Sequence, residues 1–342
     1  MSPPKIPHET ENVYTPPDVD AAGDLLADMT GAFTVLPSQN GAGYPDSPPG
    51  PDSPPAEVAQ IGTDSGTEDT SSSAWPWQPT DATVYAATPL PERRYLLHGL
   101  IPAHGVTVWH ALPASLKTQL LLDASACVAT GADWLPVLPD GDGYTFPTVQ
   151  RRVCWLNFDM ANEDVHERVA AIARTHKLAA GQFDVVSLPL PWLDLSKWPV
   201  VAGVTQWIKA HGYGLVVIDN LANVKGSGKL IDESMVDVMT NVRRLSAEAD
   251  CHVWLISHET KNTDGKSPMQ RMYGGVHISA LIDAAFSVTR TGDYVTISAS
   301  KQRGHMTTTE FYARYTFEHD ATGALDSFRF YAATKEDIQP ES

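Results

Sequence analysis

The sequence predicts a mostly parallel α/β sheet, covered by helices on both faces, for residues 76–342. Three observations predict it. Near-continuous apolar runs of strand length recur at 105–110, 153–158, 183–188, 213–218 and 251–256. Helix-compatible stretches separate several of them, and strands that lack apolar–polar alternation are buried on both faces. Toward the C-terminus the pattern changes to period two, at 294–299, 309–318 and 327–333, which predicts an antiparallel extension of the sheet.

The elements follow in order. Residues 105–110 (Gly-Val-Thr-Val-Trp-His) are β-branched and aromatic, 111–118 form a loop, and 119–130 are small, apolar and helix-compatible. Residues 153–158 (Val-Cys-Trp-Leu-Asn-Phe) make the next strand, with a helix over 163–175. Residues 213–218 (Tyr-Gly-Leu-Val-Val-Ile) end in Asp219, and 234–249 form an amphipathic helix before the buried strand at 251–256. The chain shows no internal repeat.

Charge and proline separate a tail from this domain. Net charge is −17, but residues 1–75 hold twelve Asp/Glu against one Lys (Lys5) and twelve of the 26 prolines. The remainder carries only −6, so a local basic channel is compatible with its composition. Stretches such as Ser47-Pro48-Pro49-Gly50-Pro51 have too little apolar surface to offset backbone ordering, which predicts a disordered, acidic, Pro-rich tail over 1–75. Within it, Leu25, Leu26 and Met29 at 19–36 allow a short apolar stripe, read as transient helix in preference to a docking peptide. Cys127, Cys154 and Cys251 are isolated, with neither disulfide nor zinc spacing. No run approaches the length of a membrane span, and Met1-Ser2-Pro3-Pro4-Lys5 lacks a signal peptide's apolar stretch. These features predict a reduced, cytoplasmic protein without a membrane partner.

In parallel sheets ligands bind beyond the carboxyl ends of the strands. After the first long strand comes Ala111-Leu112-Pro113-Ala114-Ser115-Leu116-Lys117-Thr118. Laid on G-x-x-x-x-G-K-[ST], it keeps Lys-Thr and replaces both glycines, with Ala111 and Leu116. Residues Pro113, Ala114, Ser115, Leu116, Lys117 and Thr118 are therefore expected to cradle phosphate, Lys117 reaching the β/γ-phosphates and Thr118 ligating Mg²⁺. Asp219 closes an apolar strand, and beside a phosphate loop such an aspartate holds the metal shell; by itself it would start a turn. Asp159 follows the second strand, where a carboxylate can orient and deprotonate water; the alternative is a helix cap, which suits Glu163 and Asp164 better. His258 ends the 251–256 strand and is placed to sense a γ-phosphate, although a lone histidine is usually structural. Lys225, Lys229, Lys261, Lys266 and Arg271 lie in Gly/Ser-containing segments that can track a phosphate backbone or simply form solvated loops. Lys301 and Arg303 follow a strand near the C-terminus, as a finger acting in trans or as a surface cation pair.

The ensemble resembles the RecA-like ATPases, above all the hexameric replicative helicases of the plasmid RepA type and their phage and prophage relatives. The resemblance spans about residues 97–303. It runs from Leu97-His98-Gly99-Leu100-Ile101-Pro102, similar to a "GLIP" lead-in, through the phosphate loop to Leu156-Asn157-Phe158-Asp159, where the family has a catalytic glutamate. Val216-Val217-Ile218-Asp219 is similar to its Walker B strand, and Leu255-Ile256-Ser257-His258-Glu259-Thr260-Lys261 to its sensor strand. Gly274-Gly275 with Leu281-Ile282-Asp283-Ala284 is similar to its "RGSSxLxDxxD" helix, and Lys301-Gln302-Arg303 to its K-x-R finger. Tyr273 in place of arginine, Asp159 in place of glutamate and Leu116 in place of glycine depart from the pattern.

The resemblance implies a RecA-like fold, ATP with Mg²⁺, a homo-oligomer assembled as a hexameric ring, and single-stranded DNA in its channel. It also implies an ATP-dependent helicase or translocase of phage or plasmid replication in a bacterial host, with the tail available to a replication partner protein. The alternatives are a nucleotide-gated DNA-binding protein with little hydrolysis and a recombinase-type filament ATPase.

Overall fold

The computed structural model describes residues 77–226, 234–259, 275–304 and 306–338. The chain divides between Pro79 and Thr80, and every element below belongs to the unit from Thr80 onward. The expected tail at 1–75 with its helix at 19–36, and Lys229, Lys261, Lys266 and Arg271, lie outside the described residues.

A short exposed helix, α1 (Ala82–Ala87), leads to an antiparallel ribbon of β1 (Tyr95–Leu97) and β2 (Ile101–Pro102). Then come β3 (Gly105–Ala111), α2 (Lys117–Thr130), β4 (Arg152–Asn157), α3 (Asn162–His176), β5 (Phe183–Ser187), α4 (Trp198–His211) and β6 (Tyr213–Asp219). A 3₁₀ turn at Leu221–Asn223 is followed by α5 (Ser234–Ala249), β7 (His252–His258), α6 (Gly275–Leu281) and β8 (Ala284–Thr291). The last described elements are β9 (Tyr294–Gln302), β10 (Glu310–His319), β11 (Leu325–Ala333) and the single turn α7 (Lys335–Ile338).

One sheet joins nine strands in the order β11-β10-β9-β8-β3-β7-β6-β4-β5. From β8 to β5 the neighbours run parallel, and β9, β10 and β11 extend the sheet antiparallel. This is the fold class predicted from the strand patterns. Alternation along each strand sends successive side chains to opposite faces. Val106, Val108, Cys154, Leu156, Val216, Ile218, Val253 and Leu255 enter one core, under α4 and α5. Trp109, Val153, Trp155, Leu215, Val217, Trp254 and Ile256 enter the other, under α2 and α3. Burial on both faces is what makes these runs continuously apolar, and each large aliphatic side chain removed from water contributes about 1.5–3 kcal/mol. In α5, Met235, Val238, Met239, Val242 and Leu245 recur at helical spacing and all are buried.

Several boundaries differ from the sequence reading. Helix α2 begins at Lys117, two residues before the apolar stretch that signals it. Helix α4 is absent from that reading, because Pro199 looks like a breaker; it sits in the first turn, where the missing N–H has no intrahelical partner to lose. The helix implied for 281–284 ends at Leu281, and Ala284 already belongs to β8, which pairs with β3. Strand β9 runs on to Gln302, so Lys301 lies inside a strand and only Arg303 follows it.

Candidate nucleotide site

The carboxyl ends of β3, β4, β6 and β7 lie side by side, and their next residues meet. The loop after β3 turns through two left-handed residues, Ala114 (φ 63°) and Leu116 (φ 64°). A β-carbon makes that region unfavourable by about 1–2 kcal/mol per residue, which is why glycine usually fills it. Leu116 therefore holds a glycine-type conformation where the phosphate-loop pattern has its second glycine. At Ala111, in place of the first glycine, the backbone still belongs to β3, and its carbonyl accepts the Glu259 N–H at 2.9 Å. Helix α2 starts without a side-chain cap at Leu116. The backbone N–H groups of residues 115–119 have no acceptor among the described residues. Free amides at a helix N-terminus form an anion cradle.

Lys117 opens the helix and is buried, its Nζ donating to the Ser257 carbonyl at 2.6 Å. Burial pushes its ammonium down to about 8, against the pull of Asp219, Asp159 and Glu259. The Thr118 hydroxyl donates to Asp219 Oδ2 at 3.3 Å. Asp219, at the end of β6, is 1% exposed, and burial pushes its carboxyl up to about 6 although Lys117 opposes the shift. A buried ammonium and a buried carboxylate beside free amides suit a ligand that brings both phosphate and a divalent cation.

Asp159 is presented by a fixed turn after β4. The Asn157 side-chain oxygen accepts from the N–H groups of Asp159 and Met160 at 3.2 and 3.0 Å, and Asn157 Nδ2 donates to Ser187 Oγ at 2.8 Å. The cap position of α3 belongs to Ala161, with Glu163 and Asp164 in its first turn, so Asp159 is free of capping work. Its Oδ2 lies 3.4 Å from His258 Nε2, and its Oδ1 lies 3.4 Å from Asn223 Nδ2. The His258 hydrogen bond is the main cause that holds the Asp159 carboxyl below the usual carboxylate range; burial opposes it, and Asn220 and Asn223 assist. Among the described residues, two buried atoms at this place have no partner, Asn220 Oδ1 and His258 Nδ1. The Thr118 hydroxyl, the Asp219 carboxylate and the spare Asn220 oxygen are the hard donors that Mg²⁺ and its water shell require. The residues present thus fit the implied cofactor.

The other expected site residues stand elsewhere. Lys301 pairs with Ala285, which pairs with Val108 midway along β3, so Lys301 and Arg303 lie away from the phosphate loop of their own chain. The Arg303 guanidinium donates to the Ala280 carbonyl, and Lys301 is pulled down by burial with help from Arg303 and Arg243. Lys225 follows the 3₁₀ turn and is half-buried. Asn220, Asn223, His110 and Glu259 escape the sequence reading. The two asparagines have a signal, standing just after Asp219, whereas His110 and Glu259 are separated by 149 positions and meet only in three dimensions. Sequence spacing likewise gives no hint that Asp123, Cys127 and His176 come within 4.8 Å of one another. There the Arg329 guanidinium, 3.6 Å from Asp123 Oδ1 and within hydrogen-bond distance of His176, supplies the positive charge.

Residues 74–264 match the model of AAA_25, an AAA domain, over more than half of the chain. The chain belongs to this AAA-domain family. The match takes in β1 to β7 and hence the whole cluster around Lys117, Asp159, Asp219 and His258. No curated protein matches. Solved structures similar to this AAA domain include the RadB recombinase, at 15% identity over 62% of this chain and 87% of that one, with a TM-score of 0.42. A second solved structure, itself an isolated ATPase domain, is similar at 12% identity over 62% of this chain and 81% of that one, with a TM-score of 0.45. In the sheet β3 stands between β8 and β7 and leads into the phosphate loop.

Proposed function

We propose that the protein is an ATP-driven DNA helicase or translocase that hydrolyses ATP between subunits of a ring. The observation that carries this reading is the pairing of Asp159 with His258 at 3.4 Å, beside the Thr118–Asp219 contact at 3.3 Å. A phosphate cradle alone binds nucleotide. A carboxylate kept ionised at its edge and held by a polar strand-end residue also provides for attack by water. The loop amides and Lys117 hold the phosphates, Thr118 and Asp219 hold Mg²⁺, and Asp159 orients and deprotonates the water. Mg²⁺, when bound, supplies neutralisation of phosphate charge. His258 reports the γ-phosphate, and Lys301 and Arg303 act on a neighbouring subunit's site. Single-stranded DNA occupies the channel of a hexamer, tracked by Lys225, Lys229, Lys261, Lys266 and Arg271. The domain is 76–342, and the acidic tail at 1–75 serves a replication partner, since its −11 charge repels DNA.

One observation favours a second reading, a nucleotide-gated DNA-binding protein with little turnover. Leu116 and Ala114 hold strained left-handed conformations in the phosphate loop, and Asp159 is one methylene shorter than a glutamate. ATP hydrolysis by the purified protein, with and without single-stranded DNA, separates the two. DNA-stimulated turnover lost in Lys117→Ala and Asp159→Asn supports the motor. Tight ATP binding with no turnover under either condition establishes the second reading.

A further inference from the structure

His110 is the last side chain of β3 before the residue that opens the phosphate loop, and it is fully buried. A histidine in that place has to satisfy both ring nitrogens, because burying an unpaired polar group costs about 1–3 kcal/mol. Its Nδ1 lies 2.8 Å from Glu259 Oε1, and its Nε2 lies 2.7 Å from Ser300 Oγ. A carboxylate only accepts, so Nδ1–H donates to Glu259, and the Ser300 hydroxyl lies between Nε2 and the Ala285 carbonyl, 3.2 Å from the latter. Glu259 follows His258 and is itself 8% exposed, tied to β3 by its N–H to the Ala111 carbonyl. Ser300 precedes Lys301 on β9, two strands away from β3 across β8. Glu259, His110 and the half-buried Ser300 thus form one hydrogen-bonded line between the end of β7 and β9, the strand that carries Lys301 and is followed by Arg303.

We propose that His110 is a positioning residue that fixes the sensor end of β7 and the Lys301–Arg303 end of β9 relative to each other, through Glu259 and Ser300. The inference rests on the reading of the site as a hydrolase whose cations act in trans. Among the described residues the hydrogen bonds of Ser300 go to His110 and Ala285 and none to the phosphate cradle, so loosening the line at Ser300 leaves ATP binding intact and degrades turnover. A sheet edge set by backbone pairing alone has no such link between side chains from strands that are not neighbours.

The test uses the full chain carrying Ser300→Ala, with Ser300→Thr as the conservative control and His110→Gln as a second break in the line. Ser300→Ala is expected to lower kcat about tenfold with KM and nucleotide affinity within twofold, and Ser300→Thr to retain the wild-type kcat. Combined with Arg303→Ala, it is expected to add little further loss, because both act through the same cation. A folded Ser300→Ala or His110→Gln protein with wild-type kcat overturns the inference, as does full additivity with Arg303→Ala. If the wild-type chain binds ATP and never turns it over, the hydrolase reading fails first and takes this inference with it. Wild-type turnover with an unaffected Ser300→Ala overturns the inference alone.

Discussion

The imidazole of His258 stands 3.4 Å from the carboxylate of Asp159, although 99 positions separate them in the chain. Strands β4 and β7 do not touch; β6 lies between them, and the contact forms only because both side chains leave the sheet at the same end. The consequence is a carboxylate kept ionised where a water molecule can reach it. Asp159→Asn is expected to lower ATP turnover by about 10²-fold or more while nucleotide affinity changes only a few-fold. His258→Ala is expected to have the smaller effect of the two. Steady-state hydrolysis beside equilibrium nucleotide binding checks this, and an Asp159→Asn protein with undiminished turnover removes Asp159 from the chemistry.

The pH profile follows from two opposed shifts. Asp219 is raised from 3.8 to about 6, and Lys117 is lowered from 10.5 to about 8, burial being the first cause of each. A raised carboxyl contributes stability that is complete below its unfolded value and lost as pH rises through about 6. A lowered ammonium contributes stability that is complete above its unfolded value and lost as pH falls through about 8. Between those limits both groups are charged at a cost to the free protein, and that is the form that holds Mg²⁺ and phosphate. The value of kcat/KM is therefore expected to peak between pH 6 and 8 and fall on both sides, as measured across a constant-ionic-strength buffer series. A profile flat through about pH 9 contradicts the assigned state of Lys117.

Much of this is legible in one dimension because burial on both faces leaves a direct trace. Residues 215–218 are Leu-Val-Val-Ile because β6 is covered by α5 on one side and α2 on the other, and no other arrangement requires four apolar residues in a row there. Asp219 stands out by ending that run, and Lys117-Thr118 by following another. What stays hidden depends on partners far apart in sequence. His110 reads as one more residue of an apolar strand; only the fold brings it Glu259 and Ser300. Helix α4 is hidden for a local reason, since a proline near its start reads the same as a proline that ends a helix. The left-handed turn at Leu116 is also invisible, because its residue is not the one that conformation prefers.

That turn gives a prediction about stability. Ala114 is exposed and has φ 63°, so its methyl group adds steric cost without burying apolar surface. Ala114→Gly is expected to stabilise the chain by about 0.5–1 kcal/mol, the relief of strain exceeding the extra entropy of the unfolded state. Leu116 has the same backbone, but its side chain packs against the core that lies under α2. Leu116→Gly is therefore expected to show no gain, strain relief being offset by lost packing. Equilibrium denaturation of the two variants separates strain from packing; a Leu116→Gly protein more stable than Ala114→Gly reverses the assignment.

The placement of Lys301 and Arg303 leads to a test that needs two kinds of subunit. Both lie away from their own phosphate loop, at the level of the middle and amino-terminal half of β3. Under the proposed reading a cation there completes a site on another copy, through a head-to-tail interface of the kind that can close into a ring. Lys117→Ala removes the cradle from a subunit and leaves its Arg303; Arg303→Ala does the reverse. Each variant alone is expected to retain only a small residual turnover, on the order of a hundredth of wild type or less. An equal mixture is expected to recover on the order of a quarter of wild-type turnover, the chance that an intact cradle faces an intact arginine. If Arg303 acted within its own chain, no combination of these subunits would restore activity. Hydrolysis measured across mixing ratios therefore decides whether the catalytic unit is one chain or the boundary between two.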